Sequence, residues 1–503
     1  MNILKTTSKK QSIVVSYLTI ALNTVTSLVL TPFLLNKLGA EQYGLYQMIY
    51  SVAAYILILD LGISSTMVRY ITEFRERNER EREANFNAMM LTFILAIMIL
   101  VFIIGGIVNF NIEKIYTKLS QNEYEISHKV FCIMIAQIIL TICTHYVEGL
   151  ILSRERFLFV KIVQLVKIIL AFIFTILMVS VRSNIIGIVI ANTAALFLTM
   201  LMELLYVIRY LDIKIKYRYF DWVIFKPALG LMVAMLIQSV IGHVNTTVDK
   251  TILGIMCTKH DVTVYSIAAS IITMFNAIPS VIASVFLPQA TRLIINNAND
   301  EELTEFVIRP GRWQFAIIFP VLLVFILYGE EFISLWAGND MTGAWLVCII
   351  IMIPNMIPLV QNVCLSILDA KNKRLVRSLT LFGIAFINVI LSIILVRHIG
   401  FLGAPIGTAI SYIVGHIILM NIYYKKVVGL DVIRMFKEIG SRTWICALVS
   451  FLLSIPLTMI NINGLIPFII KCGVFCIVYC ILMILWGFSE EEKRILFNFI
   501  KRK

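Results

Sequence analysis

Fourteen runs of predominantly apolar residues, separated by short polar segments, fill almost all of the 503-residue chain. They lie near 11–35, 44–68, 86–109, 129–152, 158–181, 185–208, 227–255, 262–287, 313–334, 344–368, 378–396, 402–422, 443–460 and 465–487. Roughly 20 such residues cross a bilayer as a helix. Backbone groups in hydrocarbon must be satisfied internally, which leaves helices or closed barrels. Runs of this length without period-two alternation predict helices. The expected fold is therefore an all-α polytopic membrane protein of about 14 transmembrane helices.

Composition agrees, with 60% of residues hydrophobic and 15% charged, against about 45–50% and 25% in soluble domains. Of the 43 lysines and arginines, 33 fall in the tails and in alternate gaps (1–10, 69–85, 153–161, 209–226, 288–312, 369–377, 425–442, 488–503). Seven lie in the opposite gaps and three (Lys167, Lys250, Lys471) within spans. The positive-inside rule then predicts both termini in the cytoplasm. This bias accounts for the net charge of +13 without nucleic acid. The strip Arg75 to Glu83, alternating in charge, reads as a solvated helix extension. The six tryptophans sit near span ends, as an interfacial belt requires. The first run is too long for a signal-peptide core and is expected to be a retained helix.

Three landmarks recur at offsets of 215 to 219 residues: Tyr46 with Tyr265, the exit near Ser153 with that near Ala370, and Arg182–Gly187 with Arg397–Gly403. This predicts two parallel six-helix repeats, 1–210 and 211–424, followed by two additional helices and a cytoplasmic tail in 425–503. Parallel repeats belong to alternating-access carriers whose substrate site lies between halves. No phosphate-cradling G-x-x-x-x-G-K-[ST] segment occurs, and no catalytic set is presented on a soluble surface, so no enzyme is expected. The nine cysteines lack C-x-x-C pairs, which argues against a metal site; Cys472, Cys476 and Cys480 share one helical face and read as packing residues.

Polar groups at membrane depth are costly and mark pathways. In the seventh run Ser239, His243, Thr246 and Lys250 line one helical face, flanked by Gln238, Asn245 and Asp249. This stripe is expected to face a wet cavity or the other half, unless Asp249 and Lys250 simply snorkel to the outer end. Tyr46, Tyr50, Asp60 and Ser64 share a face of the second run, closed by Arg69, and Asp60 either binds a coupling ion or makes a structural contact. Asn23, with Ser16 and Ser27, lies on the first run, as cavity lining or interhelical glue. Lys167, the deepest cation, either meets an anion or deprotonates. His145, Glu148, Glu203, His416 and Lys471 lie nearer span ends and read as structural contacts. Pro354 and Pro358 bracket Asn355 and suggest a hinge, or the commoner outcome of a kink that simply packs.

With these residues in view, the chain resembles a Wzx-type polysaccharide flippase of the MOP superfamily. The resemblance rests on Thr31-Pro32, Leu38-Gly39-Ala40-Glu41-Gln42-Tyr43-Gly44-Leu45-Tyr46, Leu59-Asp60-Leu61-Gly62 and Arg69-Tyr70. It continues in Val248-Asp249-Lys250-Thr251-Ile252-Leu253-Gly254, Tyr265-Ser266, Pro288, and Gly400 with Gly403-Ala404-Pro405-Ile406-Gly407. It implies a MATE-like fold and a flippase that moves an undecaprenyl-diphosphate-linked oligosaccharide from the cytoplasmic to the outer leaflet for surface polysaccharide such as O-antigen or capsule. Lys167, Lys250 and Arg69 are then candidate phosphate partners, and Asn23, Tyr50 and Asn245 candidate sugar contacts. Asp60, Asp249 and His243 are candidates for a coupling proton or sodium ion, with no other cofactor expected. The related lipid II flippases carry arginine in the first span, whereas this chain has none between Ser12 and Leu35, which argues against a peptidoglycan precursor. Expected partners are the lipid-linked oligosaccharide, membrane lipids, and a polysaccharide polymerase with its chain-length machinery. The expected location is a bacterial inner membrane. A cation-coupled drug exporter and a membrane-embedded glycan polymerase or transferase are the alternatives.

Overall fold

The computed structural model describes residues 9–296, 298–371, 374–459 and 464–494, and all long regular elements among them are helices. The chain forms two compact units, Met1–Thr263 and Val264–Lys503. The first contains α1 (Lys9–Leu57), α2 (Ile63–Glu76), α3 (Arg80–Phe110), α4 (Gln121–Leu152), α5 (Phe157–Val181), α6 (Ile185–Tyr210) and α7 (Trp222–Met256). The boundary falls within α8 (Lys259–Ile295). The second unit continues with α9 (Asp300–Ala337), α10 (Gly343–Val360), α11 (Asn362–Ala370), α12 (Arg374–Ile399), α13 (Gly403–Tyr412), α14 (Val432–Gly440), α15 (Thr443–Thr458) and α16 (Leu465–Leu482).

Ten helices among the described residues are long and apolar enough to cross a membrane, or eleven when the bent pair α14–α15 counts as one span. Two of them, Val15–Glu76 and Thr380–Val428, each carry two of the predicted apolar runs. The run 262–287 falls on α8, where several side chains lie outside the described residues. The fourteen-run expectation is compatible with this arrangement.

In the first unit α1 stays helical through Pro32 and bends at Gly39, whose φ of 79° and ψ of 162° belong to a region open essentially to glycine alone. Five residues on, Gly44 lets α1 meet the backbone carbonyl of Lys259 without a side chain between them. The hydroxyl of Thr263 donates to the Ala40 carbonyl at 2.6 Å, and the Lys259 ammonium pairs with Glu41 at 2.7 Å and with Glu123. The second predicted run is not one helix. A tight turn at Ile58–Asp60 is followed by Leu61 and Gly62 with φ of 55° and 62°, so Asp60 and Ser64 do not continue the face of Tyr46 and Tyr50.

The charged strip 75–83 also departs from the expected helix extension. The α2 helix ends at Glu76, and Asn78 turns the chain with φ of 56°. Glu83 is buried, accepting from Arg154 at 2.5 Å. Arg218 grips Glu81 with two hydrogen bonds of 2.7 and 2.8 Å. Asn85 holds the segment after α6, accepting from the Arg218 N–H at 2.9 Å and donating to the Tyr219 carbonyl at 3.0 Å.

In the second unit α9 is the central post, against which α10, α14, α15 and α16 pack. Val307 and Ile308 meet Met435 and Ile439 of α14 in one core, while Leu323 meets Ala447 and Phe475 in another. Tyr479 donates to the Ala316 carbonyl at 2.7 Å, and Lys471 pairs with Glu331 at 2.9 Å, so the last two apolar runs are fastened to α9 by polar as well as apolar contacts. The α10 helix runs through Pro354 and Pro358 to Val360, and Asn355 donates to the Asn276 side chain at 2.7 Å; the suggested hinge is a packed helical segment.

Candidate functional site

Four polar stripes meet inside the first unit around a cavity of about 500 Å³. Helical spacing creates each stripe. His145 and Glu148 of α4, and Gln164 and Lys167 of α5, stand three residues apart, while Asn192, Thr199 and Glu203 of α6 are seven and four apart, so each set shares one face. The α1 helix contributes Asn23 with Thr19 and Ser27. Several ionisable side chains on membrane-spanning helices are tolerated only where they face one another or a polar solute.

The hydrogen bonds order this lining. The His145 Nδ1 lies 2.7 Å from the Asp60 carboxylate, which sits behind it at the turn before α2. Lys161 donates to the Gln164 amide oxygen at 3.0 Å, and that amide reaches the Glu148 carboxylate at 3.5 Å. Glu203 is 1% exposed and its Oε2 has no hydrogen-bond partner among the described residues. Lys167 is exposed into the cavity and forms no ion pair among the described residues. A buried carboxylate oxygen without a partner is costly, so this lining is built to receive hydrogen-bond donors and to offer one exposed ammonium group.

Of the predicted site residues, Lys167 and Asn23 line this cavity, and Asp60 reaches it through His145. Tyr50 is an exposed residue of α1, its ring centre 6.1 Å from that of Tyr46, and Lys250 belongs to a separate seam between α1 and α7. There the Lys250 ammonium donates to the Gln47 amide at 3.1 Å and the Thr251 hydroxyl to Ser51 at 2.9 Å. On the same helix Asp249 is buried and His243 partly buried. The side chains of Asn245 and Thr246 lie outside the described residues. Arg69 stands apart, exposed on α2 with its guanidinium 5.8 Å from the Tyr70 ring centre.

His145, Glu148 and Glu203, read from sequence as interfacial structural contacts, also line the cavity, His145 keeping its contact with Asp60 and Glu148 its contact with Gln164. The signal that marks them is the recurrence of ionisable groups in the fourth, fifth and sixth apolar runs. Position along a run says how deep a residue is, but only packing says that three runs turn these groups toward one point. The cavity is consequently mixed in charge, with two glutamates facing it beside Lys167 and His145, rather than lined by cations alone.

The family model described as polysaccharide biosynthesis protein matches residues 10–294, more than half of the chain. The chain belongs to this family. Among curated proteins it is 23% identical over 402 residues to a putative O-antigen transporter of Shigella flexneri, covering 78% of this chain and 92% of that protein. It is also 23% identical over 252 residues to the probable low-salt glycan biosynthesis flippase Agl15 of Haloferax volcanii, covering 50% of this chain and 52% of that protein. Among solved structures, the lipid II flippase MurJ in an inward closed conformation superposes with a TM-score of 0.72 at 16% identity, over 94% of this chain and 98% of that one. An inward-facing MATE family multidrug transporter of the MOP superfamily gives 0.69 at 14% identity, over 81% and 95%. The polytopic all-helical fold expected from sequence is the one these transporters share.

Proposed function

We propose that this polysaccharide biosynthesis family member is a flippase. It moves an undecaprenyl-diphosphate-linked oligosaccharide from the cytoplasmic to the outer leaflet of a bacterial inner membrane, by alternating access, for surface polysaccharide assembly. The observation that carries the reading is the polar cavity of the first unit, set among membrane-spanning helices. A lipid-linked glycan keeps its tail in the bilayer and needs passage only for its head. Asn23, Gln164 and Asn192 suit sugar hydroxyls as donors and acceptors, and the carboxylates of Glu148 and Glu203 accept from them. Lys167 is the cation available to a phosphate.

Lys250 in its seam, and the exposed Tyr50 and Arg69, are proposed as further contacts along the head-group path. Asp60, Asp249 and His243 are proposed to bind a coupling proton or sodium ion, since one charge moved through 100 mV supplies about 2.3 kcal/mol. Both termini are proposed to be cytoplasmic, the two six-helix repeats with two added helices to be the working architecture, and a polysaccharide polymerase with chain-length machinery to consume the product. Genetic rescue tests the function. Expression in a strain lacking its own glycan flippase restores surface polysaccharide and leaves resistance to cationic drugs unchanged. Drug resistance without polysaccharide would indicate an exporter instead.

A further inference from the structure

The second unit contains a larger open cavity, of about 1230 Å³, that lies outside the head-group path proposed above. It opens where α14 meets the start of α15. We propose that this cavity holds the phosphate head group of an anionic glycerophospholipid of the surrounding leaflet, gripped by Lys425, Lys437 and Arg442.

The walls are fixed by internal ion pairs. Arg312 of α9 clasps Glu492 with bonds of 2.7 and 3.0 Å, and donates at 2.9 Å both to the Glu438 carbonyl and to the Ser441 hydroxyl. That hydroxyl belongs to a corner residue with φ of 28°, so the clasp holds a strained turn between α14 and α15. Arg434 is likewise occupied, by Glu438 at 2.7 Å and Glu301 at 3.1 Å. Lys425, Lys437 and Arg442, by contrast, are exposed and form no ion pair among the described residues, yet line the same cavity. Asp300 and Asp431 line the opening too, Asp431 accepting from the Arg434 N–H at 3.0 Å, but among the described residues the three cations outside ion pairs outnumber these two carboxylates, which leaves the opening complementary to an anion.

The rim selects a lipid over a free anion. The α14 helix buries Met435 and Ile439 and turns Ile433, 75% exposed, outward on the same side as Lys437. Trp444, 47% exposed, opens the apolar α15 beside Arg442. A short amphipathic helix with outward aliphatic and cationic groups, followed by a tryptophan at the start of a span, matches the head-group level of a bilayer. Each lysine or arginine at that level contributes to attraction of anionic lipid.

The test uses the full-length protein in detergent micelles containing phosphatidylglycerol or phosphatidylcholine, with retained lipid counted by native mass spectrometry. The wild type is expected to retain phosphatidylglycerol in preference to phosphatidylcholine. The triple variant K425Q/K437Q/R442Q is expected to lose that retention by roughly tenfold or more, given three surface cations. A charge-matched control, K114Q/K129Q/R182Q, retains it, and equal melting curves for both variants exclude unfolding. Should the triple variant lose its fold, the single variant K437Q in raised salt carries the same comparison. The proposal is overturned if the triple variant retains phosphatidylglycerol like the wild type. It is also overturned if soluble glycerol phosphate displaces the lipid at equal concentration, or if undecaprenyl diphosphate alone is retained. None of these outcomes bears on genetic rescue, which tests the flippase reading separately.

Discussion

Lys167 and Glu203 reach the same cavity from adjacent helices, one exposed and one sealed, and their roles separate on substitution. Lys167→Ala removes the cation without opening a packed core. Transport of the lipid-linked oligosaccharide is expected to fall at least tenfold, with the melting temperature within a degree or two of the parent, as for a surface substitution. At the Arg312 clasp the expectation reverses. Removing one partner of a nearly buried pair leaves the other uncompensated, so Arg312→Ala should cost about 3 kcal/mol in unfolding measurements. Burial pushes the Glu492 carboxyl up, but hydrogen bonds from Arg312 and from the Ser489 N–H outweigh it and hold the group below the usual carboxylate range. A carboxyl depressed in the folded state stabilises fully above its unfolded value, near 4.3, and loses that contribution as pH falls through the folded value. Melting curves of Glu492→Gln and the wild type should therefore differ at neutral pH, begin to approach each other only below about pH 4.3, and meet once pH has passed below the depressed folded value. Asn23 and Lys167 were legible in the sequence because polar groups within an apolar run are costly whatever surrounds them. The Asp60–His145 contact was not, since 85 residues separate its partners and only the packing of α2 on α4 joins them.

Helices were legible through their length and apolar content; their breaks were not. Pro32, Pro354 and Pro358 are strong helix breakers in water, yet α1 and α10 run through them because a hydrocarbon medium gives the chain no alternative partner for its backbone. The actual bends fall at Gly39 and at Leu61–Gly62, where the sequence offers a glycine but no pattern that says which glycine turns. At Gly39 a Cβ would meet nothing within 4 Å, so any penalty for Gly39→Ala comes from the backbone alone. It should amount to about 1–3 kcal/mol, read as a lowered melting temperature in detergent. An unchanged melting temperature would show that the φ of 79° is not required. The charged strip before α3 illustrates the same limit: alternation predicts exposure, but the burial of Glu83 against Arg154 depends on a turn at Asn78 that alternation does not encode.

Across the whole molecule, apolar runs and charge bias sufficed to specify a polytopic helical protein, and the ordered blocks near Gly39, Asp60 and Asp249 pointed to the family that the residues 10–294 match. What remained hidden was the balance of charge in the cavity, which depends on which face each span turns inward. A mixed cavity predicts that neutralising the acids matters as much as neutralising the lysine, so Glu148→Gln with Glu203→Gln should slow transport by a factor comparable to Lys167→Ala. The most direct measurement is leaflet transfer in proteoliposomes, with a fluorescent undecaprenyl-diphosphate-linked oligosaccharide followed by quenching from outside. Protein-dependent loss of the accessible pool is expected, slowed at least tenfold by Lys167→Ala. Equal transfer in vesicles with and without the protein, under an imposed proton or sodium gradient, would contradict it.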